Sequence, residues 1–123
     1  MQHWYRSRPP AQSAFAWQYL GWAQYRAGSW KASLEALEKS CKLQNGGGCG
    51  QWIVMSLAHW KLANEKELTE QERARHQSEA RRWYDQAVKQ IDSRGTGGSS
   101  VMQATRGFRA EAAELLGVKE KQD

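Results

Sequence analysis

Only two of the 123 residues are proline, side by side at Pro9 and Pro10. From Ala11 onward nothing removes a backbone donor or restricts φ against helix, which leaves long helices uninterrupted. Long apolar runs are missing too. No stretch approaches the roughly 18 apolar residues that mark a membrane span, and the opening ten residues lack the apolar core of a secretion signal. The cytoplasm is therefore the default compartment, or the extracellular space if the chain is a processed form. Catalytic spacing is equally scarce. Gly46 to Gly48 and Gly95 to Gly98 are not followed by the Lys-Ser/Thr of a phosphate-binding loop. His59, His76, Cys49 and Glu79 share no spacing that assembles a nucleophilic site, so no enzyme and no cofactor is expected.

Cysteine is limited to Cys41 and Cys49, which flank an Asn-Gly-Gly-Gly turn. Two readings stay open. Both are free thiols, with Cys41 packing a helix end, or they form a disulfide across a loop of about nine residues in an oxidising compartment. A metal site is not expected, because His59 and His76 are too distant in sequence to complete a paired zinc pattern.

Rings dominate the apolar content that is present: seven Trp and four Tyr against two Phe, so much of the apolar area carries a polar handle. The net charge of +5 comes from 18 basic and 13 acidic residues interspersed along the chain. That weakly favours acidic partners, but no nucleic-acid module accompanies it, and neither nucleic acid nor membrane is expected as a partner.

The apolar spacing reads as all-α. Residues 1–12 form an irregular lead-in. A first helix is predicted from about Ser13 to Ala27, with Phe15, Tyr19, Leu20, Trp22 and Ala23 at helical spacing and Gly28 stopping it. Ser29 caps a second, from Trp30 to about Leu43. The third runs from about Gln51 to Ala63. Thr69 with Glu72 fits a capping box before a fourth, from Glu70 to about Ser93. The first half of that helix is nearly all polar and is expected to project into solvent or reach a partner. Ser100 with Gln103 repeats the capping-box spacing before a last helix, from Val101 to Leu116, closed by Gly117. Residues 119–123 form a charged tail.

Trp17, Leu20, Gly21, Ala23, Gly28, Leu34 and Leu37 form a spaced set that partly recurs 35 residues later as Trp52, Met55, Ser56 and Ala58. On these residues the chain resembles the tetratricopeptide repeat family. Gly21 stands where a small residue lets the two helices of a unit approach. Ser33 and Ser40 stand where small alanines are usual and keep the size requirement. Ala80, Tyr84 and Ala87 match the second unit's small-aromatic-small spacing but arrive about twelve residues late, which marks residues near Glu65 to His76 as an insertion. The last helix looks like a lone first helix of a third unit.

The resemblance implies a right-handed helix-pair solenoid of about two and a half units over residues 13–118. It also implies a non-catalytic scaffold that presents a groove to a peptide or protein. Gln18, Trp22, Tyr25 and Arg26 would line that groove in the first unit, and Ile53, His59, Trp60 and Lys61 in the second. Arg26 and Lys61 stand at places comparable to the family's peptide-carboxylate clamp, but its Asn positions do not match. The competing expectation is a structural subunit that stacks head-to-tail on its own copies into an oligomer or filament, with Trp4, Tyr5, Phe108 and Leu115 as contacts.

Overall fold

Five helices follow one another in the computed structural model, which describes residues 10–95 and 98–119. They are α1 (Pro10–Arg26), α2 (Trp30–Leu43), α3 (Cys49–Ala63), α4 (Glu70–Ser93) and α5 (Ser100–Leu116), with no strand among the described residues. α2 and α4 keep the bounds read from the sequence. α1 starts three residues earlier than expected, at Pro10, because a proline in the first turn lacks only an N–H that no helical carbonyl would have accepted.

The helix ends follow local chemistry. Gly28 leaves α1 at φ +86°, a left-handed conformation that suits a residue without Cβ, and its N–H donates to the Tyr25 carbonyl at 3.0 Å. Ser29 precedes α2 as expected, yet its hydroxyl makes no capping bond. Thr69 and Glu72 do form the reciprocal box: the Thr69 hydroxyl accepts from the Glu72 N–H at 3.1 Å, and the Glu72 carboxylate accepts from the Thr69 N–H at 3.0 Å. At α5 the cap is Ser99, not Ser100. The Ser99 hydroxyl accepts from the Met102 N–H at 3.3 Å, one residue earlier than the spacing of Ser100 and Gln103 suggests.

α1 packs antiparallel on α2 and α3 antiparallel on α4, and these are the two most extensive helix contacts. Gly21 makes the first possible. A Cβ there would sit 2.6 Å from Leu37 Cγ, well inside van der Waals contact. The serines noted for their size do more than stay small. Ser33 donates to the Gly21 carbonyl at 2.7 Å and Ser40 to the Ala14 carbonyl at 2.6 Å, both tying α2 to α1. Ser56 donates to the Ala80 carbonyl at 2.6 Å and ties α3 to α4. Each contributes about 1 kcal/mol net and satisfies a hydroxyl that burial would otherwise leave unpaired. Ser40 also accepts from Gln51 Nε2 at 3.1 Å, which extends the network across to α3.

α3 is the central helix, packed on all four others. Ile53, Val54 and Leu57 are fully buried within one turn, as expected of a helix that is apolar all round. α1 departs from that logic. Phe15, Tyr19 and Leu20, read from the sequence as helical apolar positions, stand about half exposed to solvent.

Two expectations about the later helices are corrected. The polar first half of α4 does not project freely. Its outer side is exposed, but Arg73 Nη1 donates to the Ala63 carbonyl and His76 meets His59, so one edge is fastened to α3. α5 does not sit as a repeat of α3 would. Of the two helices before it, α3 packs more on α2 than on α1, whereas α5 packs more on α3 than on α4. Phe108, which α5 buries together with Ala112 and Ala113, packs its ring on Trp22 and Tyr25 of α1. No described helix is long and apolar enough to cross a membrane.

Candidate functional site

The residues expected to line one open groove separate into two groups, and α5 is the reason. Trp22, Tyr25 and Arg26 of α1 meet α5 directly. The Phe108 ring lies 5.1 Å from that of Trp22 and 6.4 Å from that of Tyr25, with the Arg26 guanidinium 4.5 Å over its face. Tyr25 donates to Glu111 Oε1 at 3.1 Å, and Arg26 Nη1 reaches Oε1 and Oε2 at 3.0 and 2.8 Å. Gln18 is buried beside a cavity of about 350 Å³ shared with Val101, Met102 and Thr105 of α5. Side chains of α5 thus occupy part of this face, while Arg26 itself stays exposed.

The second-unit residues scatter. Ile53 has no exposed surface and lies in the core, so it presents nothing to a partner. Trp60 is half-buried. Lys61 turns toward α2, its ammonium 6.0 Å over the Trp30 ring. His59 points away from α1, toward α4. Among the self-assembly candidates, Phe108 is interior and Leu115 half-buried against the core, so Phe108 offers no stacking surface. Trp4 and Tyr5 lie outside the described residues.

The opposite side of α3 is where the structure leaves room. α2 and α4 both pack on α3 but not on each other, and the channel between them is floored by Met55, His59 and Leu62. Two cavities of about 590 and 880 Å³ run along it and share Glu38, His59 and Arg75. Cys41, Met55 and Trp83 line one; Trp30, Leu34, Leu62 and Leu68 line the other. Sequence reasoning missed this channel, although α4 carries a signal for it. Glu65, Leu68, Glu72, Arg75 and His76, within the stretch read from the sequence as an insertion, line one of its sides.

Charge in the channel is unlike the chain's as a whole. Glu35, Glu38, Glu65, Glu72 and Glu79 face Lys31, Lys42 and Arg75. Glu72 is occupied by its cap, which holds its carboxyl below the usual range, and Glu79 is paired with Arg82 at 3.1 Å. Glu35, Glu38 and Glu65 make no ion pair among the described residues.

His59 on the α3 floor meets His76 on the α4 wall beside the junction of the cavities. Their Nδ1 atoms are 2.9 Å apart, so one ring donates the single shared proton and the other accepts it. Burial, then the neighbouring His76 charge, lowers the His59 pKa from the ordinary 6.5 to about 4, and burial lowers His76 in the same direction. Both rings are neutral at neutral pH. The pair is a clasp between α3 and α4 with no third ligand: no group of three or more His, Cys, Asp or Glu side chains among the described residues is placed to hold a metal ion.

Cys41 and Cys49 are free, buried thiols. Cys41 Sγ donates to Met55 Sδ at 3.9 Å, and the connector folds over it so closely that a Cβ on Gly47 would collide with the sulfur. Burial, with help from Glu38, pushes the Cys41 thiol up to about 11, and burial raises Cys49 as well. Neither is an activated nucleophile. The chain matches no protein-family model, no curated protein and no solved structure.

Proposed function

We propose that this chain is a non-catalytic protein–protein interaction module built on tetratricopeptide-like helix pairs, and that its partner enters the channel between α2 and α4. One observation carries the reading. Side chains of α5, Phe108 and Glu111, engage Trp22, Tyr25 and Arg26 on the face of α1 that the family resemblance assigns to a partner, while the channel on the other side of α3 is open along both cavities. Its lining has the character of a recognition surface: apolar floor, rings at both ends and charged side chains along the rim.

The test is selection of peptides from a displayed random library on the full chain, with each binder mapped by backbone amide shifts. Binders whose shifts fall on α2 and α4 support the reading. A selection without binders, or binders that displace α5 from Trp22 and Tyr25, overturns it.

A second reading, association between copies, is favoured by the exposed apolar side of α1. Phe15, Tyr19 and Leu20 are large, uncharged and open, with Ala16 and Ala23 between them. Light scattering over a range of concentrations separates the two. A constant 14.0 kDa species removes this reading. Larger species that the Tyr19→Lys/Leu20→Lys chain no longer forms support it.

A further inference from the structure

We infer that the occupant of the α2–α4 channel is a cationic peptide segment, carrying lysine or arginine beside apolar side chains. The inference rests on the reading that this channel is the partner site and adds the chemistry of the partner.

The charge distribution carries it. The chain is +5 overall, yet five of its 13 acidic residues line this one channel, against three of its 18 basic ones. Glu35 and Glu38 lie three residues apart on α2, hence on one side of that helix, and both are exposed. Together with Glu65 across the channel they make no ion pair among the described residues. Arg75 lines both cavities beside Glu38 without closing a salt bridge to it, so the carboxylates remain open to a visitor. Carboxylates set on low-dielectric walls focus their potential into the space between them and raise the local concentration of cations. The floor adds the second requirement. Leu62 and Trp83, both half-buried, offer apolar surface that a bare cation would not use and that the side chains of an amphipathic peptide would cover. The +5 balance of the chain, taken alone, points to acidic partners. With Glu79 paired to Arg82, the channel still holds Glu35, Glu38, Glu65 and Glu72 against Lys31, Lys42 and Arg75, a small local excess of negative charge in a basic chain.

The experiment uses two short synthetic peptides of equal length and equal apolar content, one with Lys and Arg at its charged positions and one with Glu. Each is titrated into the full chain by calorimetry and by nitrogen-resolved amide and indole shifts. The cationic peptide is expected to bind, with shifts at Glu35, Glu38 and the Trp83 indole and with affinity that falls as salt rises. Glu35→Lys/Glu38→Lys is expected to weaken it about tenfold. Both positions are exposed, and Glu65→Lys, outside α2, tests the same charge from the other wall. Equal binding of the two peptides in the channel, or an unchanged Kd in both variants, overturns the cationic assignment and leaves the channel standing as a partner site. Shifts in the same residues on concentrating the chain alone make a second copy the occupant and also overturn it. If neither these peptides nor library-selected ones shift α2 or α4, the channel reading falls and takes this inference with it.

Discussion

Arg26 and Glu111 stand 85 residues apart in sequence and meet at 3.0 and 2.8 Å, a side-chain bridge between the end of α1 and α5. The same carboxylate accepts the Tyr25 hydroxyl at 3.1 Å. Burial first, then the Glu111 charge, raises the Tyr25 phenol pKa far above its usual value, so the phenol stays protonated and donating. The ion pair itself is partly exposed and contributes less than about 1 kcal/mol after solvent screening. The buried phenol matters more, because without Glu111 it loses its acceptor. Glu111→Ala is therefore expected to lower stability by about 1–2 kcal/mol in urea denaturation and to speed amide exchange in α5 above that in α2. Unchanged protection of α5 would show that the Phe108 contacts alone hold the helix in place.

Gly21 sets the distance between α1 and α2, and replacing it reverses an ordinary preference. In a helix interior Gly→Ala gains up to about 1 kcal/mol from backbone propensity. Here the added methyl would overlap Leu37, which is fully buried and has nowhere to move at low cost. Gly21→Ala is expected to destabilise by about 1–3 kcal/mol, read as a lower Tm. A higher Tm would mean that Leu37 repacks without strain.

The sequence made the helices legible and left their mutual placement largely hidden. Gly28, Thr69 with Glu72, and Gly117 are local signals, and the elements they delimit stand where those signals put them. The seat of α5 is not a local property. Phe108 and Ala112 mark an apolar side of that helix, but nothing in their spacing says whether it faces α4 or α1. The answer depends on whether Trp22 and Tyr25 offer a better-fitting surface, and that is a comparison of two three-dimensional contacts. The serines show the same limit at smaller scale. Ser33, Ser40 and Ser56 were legible as small residues, while their bonds to the carbonyls of the partner helix depend on helix separation. The channel was hidden for both reasons at once, since it exists only because α2 and α4 fail to meet.

Acid should loosen the α3–α4 clasp. In the fold His59 titrates at about 4 and His76 is also lowered, while in the unfolded chain both return to the ordinary 6.5. A folded pKa below the unfolded one means that stability is complete above pH 6.5. It is lost progressively as pH falls toward 4, because the unfolded chain takes up protons that the fold refuses. Glu79 works against the shift of His59, whereas Arg75 and Arg82 add to it. The urea midpoint is expected to be lower at pH 5 than at pH 7.5, with a limiting slope of about 1.4 kcal/mol per pH unit from His59. His59→Phe should flatten that dependence. A wild-type midpoint that is equal at the two pH values would show that folding does not lower the titration of the pair.

The two thiols should be slow to react. Cys41 and Cys49 are buried, and Cys41 titrates at about 11, which leaves little thiolate near pH 8. Ellman's reagent is expected to label both only after denaturant is added. Rapid native labelling, or a disulfide formed natively by mild oxidant, would mean that the Gln44–Gly48 connector opens readily and lifts Gly47 away from Cys41.

The position of α5 at the end of the helix order also imposes a schedule on synthesis. At about 5–20 residues per second, the 85 residues from Arg26 to Glu111 take roughly 4 to 17 s to translate. For nearly all of that interval Trp22 and Tyr25 exist without the Phe108 ring that packs beside them. A nascent chain stalled before Phe108 therefore lacks the ring that Trp22 and Tyr25 pack on, and the seat of α5 can form only after translation has passed it.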